Sequence, residues 1–159
     1  MKTKIKIKMD LHKYQAVILG QIATSIWYLP NFSKLLHSIR GVKFKDRRTT
    51  FFGRGVAIDN RYPELVSIGR DVWLTAGTVI LTHSFTSNSQ QNLFGLLEST
   101  GPVLIEDGVF IGTCCIICPN VVIGKNSYVA AGSVVTHNVP HNVIVGGNPA
   151  KIIKKMEIS

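Results

Sequence analysis

The chain has 159 residues, 45% of them hydrophobic, and a formal net charge of +9. That length and apolar content suit one domain with an ample core. The charge is uneven: residues 1–54 hold twelve Lys and Arg against two Asp, while the rest hold six against seven Asp and Glu, which argues against a wholly basic nucleic-acid-binding core and for a local basic surface, a tail or a contact with anionic membrane.

Residues 2–8 alternate Lys with Thr, Ile and Ile, the pattern of a lysine-protected edge strand or a frayed basic arm. Residues 16–29, AVILGQIATSIWYL, form an apolar run broken by Gln21, Thr24 and Ser25. A membrane span needs about 20 residues, so this run is short for one. It follows lysines as a signal peptide would, but no small-x-small cleavage motif comes after it. The expectation is a helical N-terminal extension over residues 1–40, with a helix, a turn at Pro30-Asn31 and a second helix spanning about 14–39. It either packs on the rest of the chain or associates shallowly with a membrane surface.

From residue 41 a period of six takes over. Phe52 and Ile58 begin an aliphatic column. Ile68 comes ten residues after Ile58 instead of six, so DNRYPELVS carries an insertion of about four residues at a corner. IGRDVW, LTAGTV and ILTHSF follow in register, and residues 86–101, TSNSQQNLFGLLESTG, then break it. From Ile105 to Pro140 six hexads run without interruption. Their first column is Ile105, Ile111, Ile117, Ile123, Val129 and Val135, and their fifth is Val109, Cys115, Val121, Ser127, Ser133 and Val139. Six is neither the 3.6 of a helix nor the 2 of a flat strand. It is the period of a coiled parallel sheet, a β-helix of hexapeptide repeats, with residue i stacked on residue i+18 and Gly or Asn at the corners. The tail, residues 141–159, reads as a strand, a Gly-Gly turn and a short basic helix with Asn148 as its N-cap and Pro149 at its first position.

Cys114, Cys115 and Cys118 are an odd cluster with no second Cys-x-x-Cys pair, which suits neither a disulfide framework nor a structural zinc site. Cys115 fits a small core position, and free thiols fit a cytoplasmic setting. Of five histidines, His12 and His37 lie in the extension and His137 and His141 at the end of the last coil. His83 stands apart, at position four of its hexad and directly before the long irregular segment. Loops of that length in a compact domain are usually functional. No Gly-x-Ser-x-Gly elbow or Ser-His-Asp order is present.

The hexads, ILTH at 80–83 and VGGNPAKII at 145–153 together resemble the hexapeptide-repeat acyltransferases, over roughly residues 40–155. The nearest branch is the maltose/galactoside and polysaccharide O-acetyltransferases, with the xenobiotic acetyltransferases next. The resemblance implies a left-handed coil, against the right-handed rule for ordinary parallel crossovers. It also implies a homotrimer with acetyl-CoA in the groove between adjacent prisms and with no metal. His83 would be the general base: thioesters are already activated, so a neutral imidazole that takes the acceptor proton suffices. Cosubstrate contacts would fall on Thr113, Ala131, Thr136, His137 (often Lys in the family) and the tail cations Lys151 and Lys154. Asp59 and Asn60, in IDNR, would meet the acceptor. The galactoside-type Asn does not align, because that stretch reads FFGRG. The expected activity is acetyl transfer to a hydroxyl of a sugar or surface-polysaccharide precursor, with no nucleic-acid partner and a possible peripheral membrane contact through residues 1–39. Residues 86–101 would set specificity. The alternatives are N-acetylation of an amino sugar, xenobiotic acetylation and a non-catalytic scaffold. A γ-type carbonic anhydrase would need three zinc histidines, and the pair His137 and His141 sits far beyond His83.

Overall fold

In the computed structural model, which describes residues 11–26, 28–95 and 98–157, the hexads coil into three parallel sheets, the β-helix expected from the repeat with the left hand that the resemblance implies. The first face holds β1 (Lys43–Phe44), β4 (Val66–Ile68), β9 (Val103–Ile105) and β12 (Val121–Ile123). The second holds β2 (Phe51–Phe52), β5 (Trp73–Leu74), β10 (Phe110–Ile111), β13 (Tyr128–Val129) and β15 (Val143–Gly146), and ends in β16 (Lys151–Lys155). The third holds β3 (Ala57–Ile58), β6 (Val79–Ile80), β11 (Ile116–Ile117) and β14 (Val134–Val135).

The register follows from the pattern. Phe110 pairs with Tyr128, Ile116 with Val134 and Val103 with Val121, one eighteen-residue coil apart. Phe52 pairs with Leu74, four residues more than a coil, and the surplus is the corner containing the short helix η1 (Pro63–Leu65). The first and fifth columns, from Ile105 to Val139, are all buried. Stacking them one strand spacing apart makes a continuous dry core. Asn120, Asn126 and Asn142 take φ of 61°, 57° and 55° at corners, a conformation that Asn tolerates better than most residues.

Outside the columns, side chains on the second face stack too. The rings of Phe51, Trp73, Phe110 and Tyr128 follow one another at centroid distances of 5.0, 6.3 and 4.6 Å. The extension forms α1 (Leu11–Ser25) and α2 (Pro30–Ile39). Pro30 opens α2, where its missing N–H is no loss, so the break between the helices precedes Pro30-Asn31. Apart from Leu36, the packed side of α2 is polar. Ser33 donates to the Ala23 carbonyl at 2.7 Å, Lys34 to the Thr50 carbonyl at 2.7 Å, and His37 and Arg40 are buried beside them. Tyr14, Ile18 and Ile22, spaced by four along α1, are exposed instead, as are Leu29, Phe32 and Ile39. Among the described residues no helix is long and apolar enough to cross a membrane.

The tail departs from expectation. Residues 151–155 form no helix; β16 pairs antiparallel with β15. The last coil leaves β15 with an unpaired edge, and the returning strand satisfies it, which outweighs the local helix signal of Asn148 and Pro149. Those two residues lie in the turn and are joined by a cis peptide bond. The segment after His83 is also more ordered than its composition suggests. β7 (His83–Ser84) pairs with β8 (Ser99–Thr100), and α3 (Asn88–Phe94) starts from a Ser87–Gln90 capping box and stops at the left-handed Gly95.

Candidate active site

β3 and β6 lie on adjacent coils of the third face, and both end at the corner leading to the first face. Asp59 follows β3, and Thr82 and His83 follow β6. This places Asp59 Oδ2 2.6 Å from His83 Nδ1 and 2.8 Å from the Thr82 N–H that donates to it. Asp59 Oδ1 accepts the backbone N–H groups of Arg61 at 2.8 Å and Tyr62 at 3.4 Å. The carboxylate is wholly inaccessible, at 0% side-chain exposure against 19% for His83. Burial by itself would raise the Asp59 pKa. The hydrogen bonds from the Thr82 and Arg61 backbone, the Thr82 side chain and His83 outweigh it and hold the carboxyl below its ordinary value. An ionised carboxylate only accepts, so His83 Nδ1 carries the proton and donates. In the neutral ring Nε2 is then left with its lone pair, which is the form a general base needs.

Two aromatic rings hold the imidazole edge-on, Tyr62 at 5.9 Å and Phe85 at 4.5 Å between centroids. The Arg61 guanidinium spans them, 4.9 Å over Phe85 and 5.5 Å over Tyr62. Arg61 and Tyr62 come from the corner insertion, and Thr82 Oγ1 donates to the Tyr62 carbonyl at 3.1 Å. Phe85 is the first residue past the β7 strand and is exposed, as are Leu93 and Phe94 on α3. The two departures from the hexad period therefore converge on His83.

The other expected residues divide between two corners. Thr113 and Ala131 lie on adjacent coils where the second face turns into the third, tied by the Gly132 N–H to Thr113 carbonyl bond at 2.8 Å. The coils are so close there that a Cβ on Gly112 would sit 2.5 Å from the Ala131 nitrogen. Thr136 and His137 lie at the far edge of the third face, their side chains 2.9 Å apart, at the same kind of corner as His83 but on a later coil. Lys151 pairs with Gly146 and Lys154 with Ile144. Gly146 and Ile144 are two apart on β15, so a bulge in β16 puts both lysines on the outward side. Asn60 is not beside the imidazole's open edge; its side-chain oxygen accepts from Arg40 at 2.9 Å.

The thiols give no second candidate. Cys115 is buried and donates to the Ala130 carbonyl at 3.1 Å, and burial raises the pKa of Cys115 and Cys118. Among the described residues no three His, Cys, Asp or Glu side chains gather to hold a metal ion.

Residues 102–137 match the family model described as bacterial transferase hexapeptide (six repeats). A protein of Bacillus subtilis assigned as an acetyltransferase is 34% identical over 116 residues, covering 73% of this chain and 63% of that one. The repeat region of the chain is similar to the hexapeptide-repeat acetyltransferases. A second such protein, of Saccharomyces cerevisiae, is 44% identical over 91 residues, 57% of this chain and 46% of its own. The chain thus spans under two thirds of the length of both relatives. A Vibrio cholerae hexapeptide-repeat acetyltransferase solved with acetyl-CoA has the same fold, with a TM-score of 0.68 over 97% of this chain and 92% of that one, at 21% identity.

For a hexapeptide-repeat chain the histidine was readable from its place in the pattern; its surroundings were not. Arg61, Tyr62 and Phe85 had no motif. The acceptor contact expected of Asp59 does not fit a buried carboxylate whose oxygens are both engaged. A sequence signal did exist. Ile58-Asp59 ends a strand one coil before Ile80-Leu81-Thr82-His83, so the two corners had to meet.

Proposed function

We propose that the chain transfers the acetyl group of acetyl-CoA to a hydroxyl of a sugar or saccharide precursor, with His83 as general base. The observation that carries this reading is the buried Asp59 carboxylate 2.6 Å from His83 Nδ1, which leaves Nε2 free on a ring that is still partly exposed. In the reaction Nε2 takes the hydroxyl proton while the oxygen attacks the thioester carbonyl. The tetrahedral intermediate then collapses, the carbon–sulfur bond breaks, and the proton on Nε2 passes to the CoA sulfur. Asp59 stabilises the imidazolium in between. Tyr62, Phe85 and Arg61 would orient the acceptor, since aromatic faces and a guanidinium suit a polyhydroxylated ring.

Thr113 and Ala131 stand on one edge of the third face and His83 on the other. Acetyl-CoA lying along the first edge of one subunit would reach the histidine of a neighbour, which supports a homotrimer with sites between subunits. The test is thiol release from acetyl-CoA with a panel of neutral sugars, amino sugars and short saccharides. Acceptor-dependent release with an ester product is expected; an amide product would place the chain among the N-acetyltransferases, and no release with any acceptor would favour a scaffold.

Lys151 and Lys154 are proposed to meet the CoA phosphates. Lys151→Glu is expected to raise the Michaelis constant for acetyl-CoA by roughly an order of magnitude at low salt and by less at high salt, because exposed charge pairs are screened. An unchanged constant at low ionic strength would remove Lys151 from the cosubstrate site.

The outward apolar side chains of α1 and α2, preceded by the lysines of residues 2–8, support a peripheral contact with anionic lipid. Co-sedimentation with phosphatidylserine vesicles is expected at low salt and should weaken as salt rises. Protein that stays in the supernatant under both conditions would leave these side chains to another surface.

A further inference from the structure

We infer that Arg40, at the end of α2, is a positioning residue for His83: it fixes the backbone that aims the Asp59 carboxylate at the imidazole. The inference rests on the reading of His83 as the base. Arg40 is buried, and its guanidinium donates to the Ile58 carbonyl at 2.5 Å, the Asp59 carbonyl at 2.9 Å, Asn60 Oδ1 at 2.9 Å and His37 Nδ1 at 3.0 Å. The first two acceptors belong to the peptide groups on either side of the Asp59 Cα. One planar cation therefore pins both, and with them the direction of the Asp59 side chain. The inner face of the same residue carries the bonds to Thr82 and His83.

Two further features are arranged around this contact. His37 is fully buried and kept neutral, with its pKa lowered to about 3 by burial and by Arg40, so that Nδ1 can accept from Arg40 while Nε2 is left without a partner. Gly20 sits inside α1, where glycine costs about 1 kcal/mol relative to alanine. A Cβ there would collide with Asn60 Oδ1 and come within 2.5 Å of Arg40 Nη1. Both helices of the extension thus make room for, or take part in, the cation's hold on residues 58–60. A helix pair needed only for packing could have buried its exposed isoleucines instead, since a buried charge is expensive unless its hydrogen bonds are used. The N-terminal hairpin becomes part of the active-site support.

The test uses the full chain with three substitutions, Arg40→Gln, Arg40→Lys and Gly20→Ala. Each is measured for thermal midpoint, for turnover and acetyl-CoA Michaelis constant with the best acceptor of the panel, and for the ring nitrogens of His83 by long-range nitrogen–proton NMR. In the wild type the His83 spectrum should report a proton held on Nδ1. Arg40→Gln and Gly20→Ala are expected to lower turnover about tenfold or more, since misplacement of about 1 Å costs up to 10²-fold. They should leave the acetyl-CoA constant within about twofold and mix the His83 tautomers; Arg40→Lys should fall between. If Arg40→Gln does not fold, Gly20→Ala and Arg40→Lys decide. Folded variants with wild-type ring signals overturn the inference, whatever their turnover. The NMR readout does not depend on His83 being the base, so a failure of that reading would show separately, as turnover retained in His83→Ala.

Discussion

His83→Ala should lower acetyl-transfer turnover by about 10²-fold or more, the usual loss on removing a general base. The acetyl-CoA Michaelis constant should change little, because the imidazole faces the acceptor hydroxyl and the proposed phosphate contacts, Lys151 and Lys154, lie on β16. The fold should survive. His83 is outside the buried columns, and Asp59 keeps the N–H groups of Thr82, Arg61 and Tyr62 when the ring is gone. Removing the ring leaves a gap between Tyr62 and Phe85, so added imidazole should restore part of the rate. Near-normal turnover in a folded His83→Ala protein with its true acceptor would end the assignment.

The β-helix was legible because its cause is in the order of residues. An aliphatic residue every sixth position can be buried continuously only if the chain coils. The same regularity made its interruptions visible, and both interruptions, the corner at residues 59–67 and the excursion after His83, turned out to wall the histidine. What happens within an interruption depends on contacts that no period encodes. α3 carried a readable capping box in Ser87 and Gln90 with Gly95 behind it, yet its Ser, Gln and Asn content favoured a plain loop. The C-terminal segment was misread for a different reason. Asn148, Pro149 and the lysines carry a local helix signal, while the open edge of β15 is a tertiary fact. In the extension, α2 meets the coil through the bonds of Lys34 and Arg40 with Leu36 and His37 buried beside them, and no period in the sequence announces those bonds. Asp59 was singled out from sequence for the acceptor side. Its burial assigns it instead to the imidazole, and Asn60 to Arg40.

Asp59→Asn should be about as damaging, with turnover lower by about 10²–10⁴-fold, by analogy with loss of the aspartate from a catalytic triad. The argument is one of hydrogen-bond valence. Both Asp59 oxygens face donors: Oδ1 the N–H groups of Arg61 and Tyr62, Oδ2 the Thr82 N–H and His83 Nδ1. An asparagine has one oxygen to offer. If it faces Arg61 and Tyr62, the NH₂ group opposes the Thr82 N–H and donates to His83 Nδ1, which moves the ring proton to Nε2 and removes the base. If the amide is flipped, the imidazole keeps its tautomer but the turn at Arg61 and Tyr62 loses its acceptor, and Tyr62 is one of the rings holding His83. Either way the buried site carries an unmatched donor, a stability loss of about 1–3 kcal/mol. The pH dependence gives a second check. The Asp59 carboxyl is held below its ordinary value in the folded protein, so its contribution is present above the ordinary carboxylate range and fades as pH falls through the lowered folded value. The stability gap between wild type and Asp59→Asn should therefore be widest near neutrality and narrow in acid. Wild-type turnover in Asp59→Asn would show that the carboxylate does not set the state of His83. A stability gap that stayed constant into acid would show that its ionised form does not stabilise the fold.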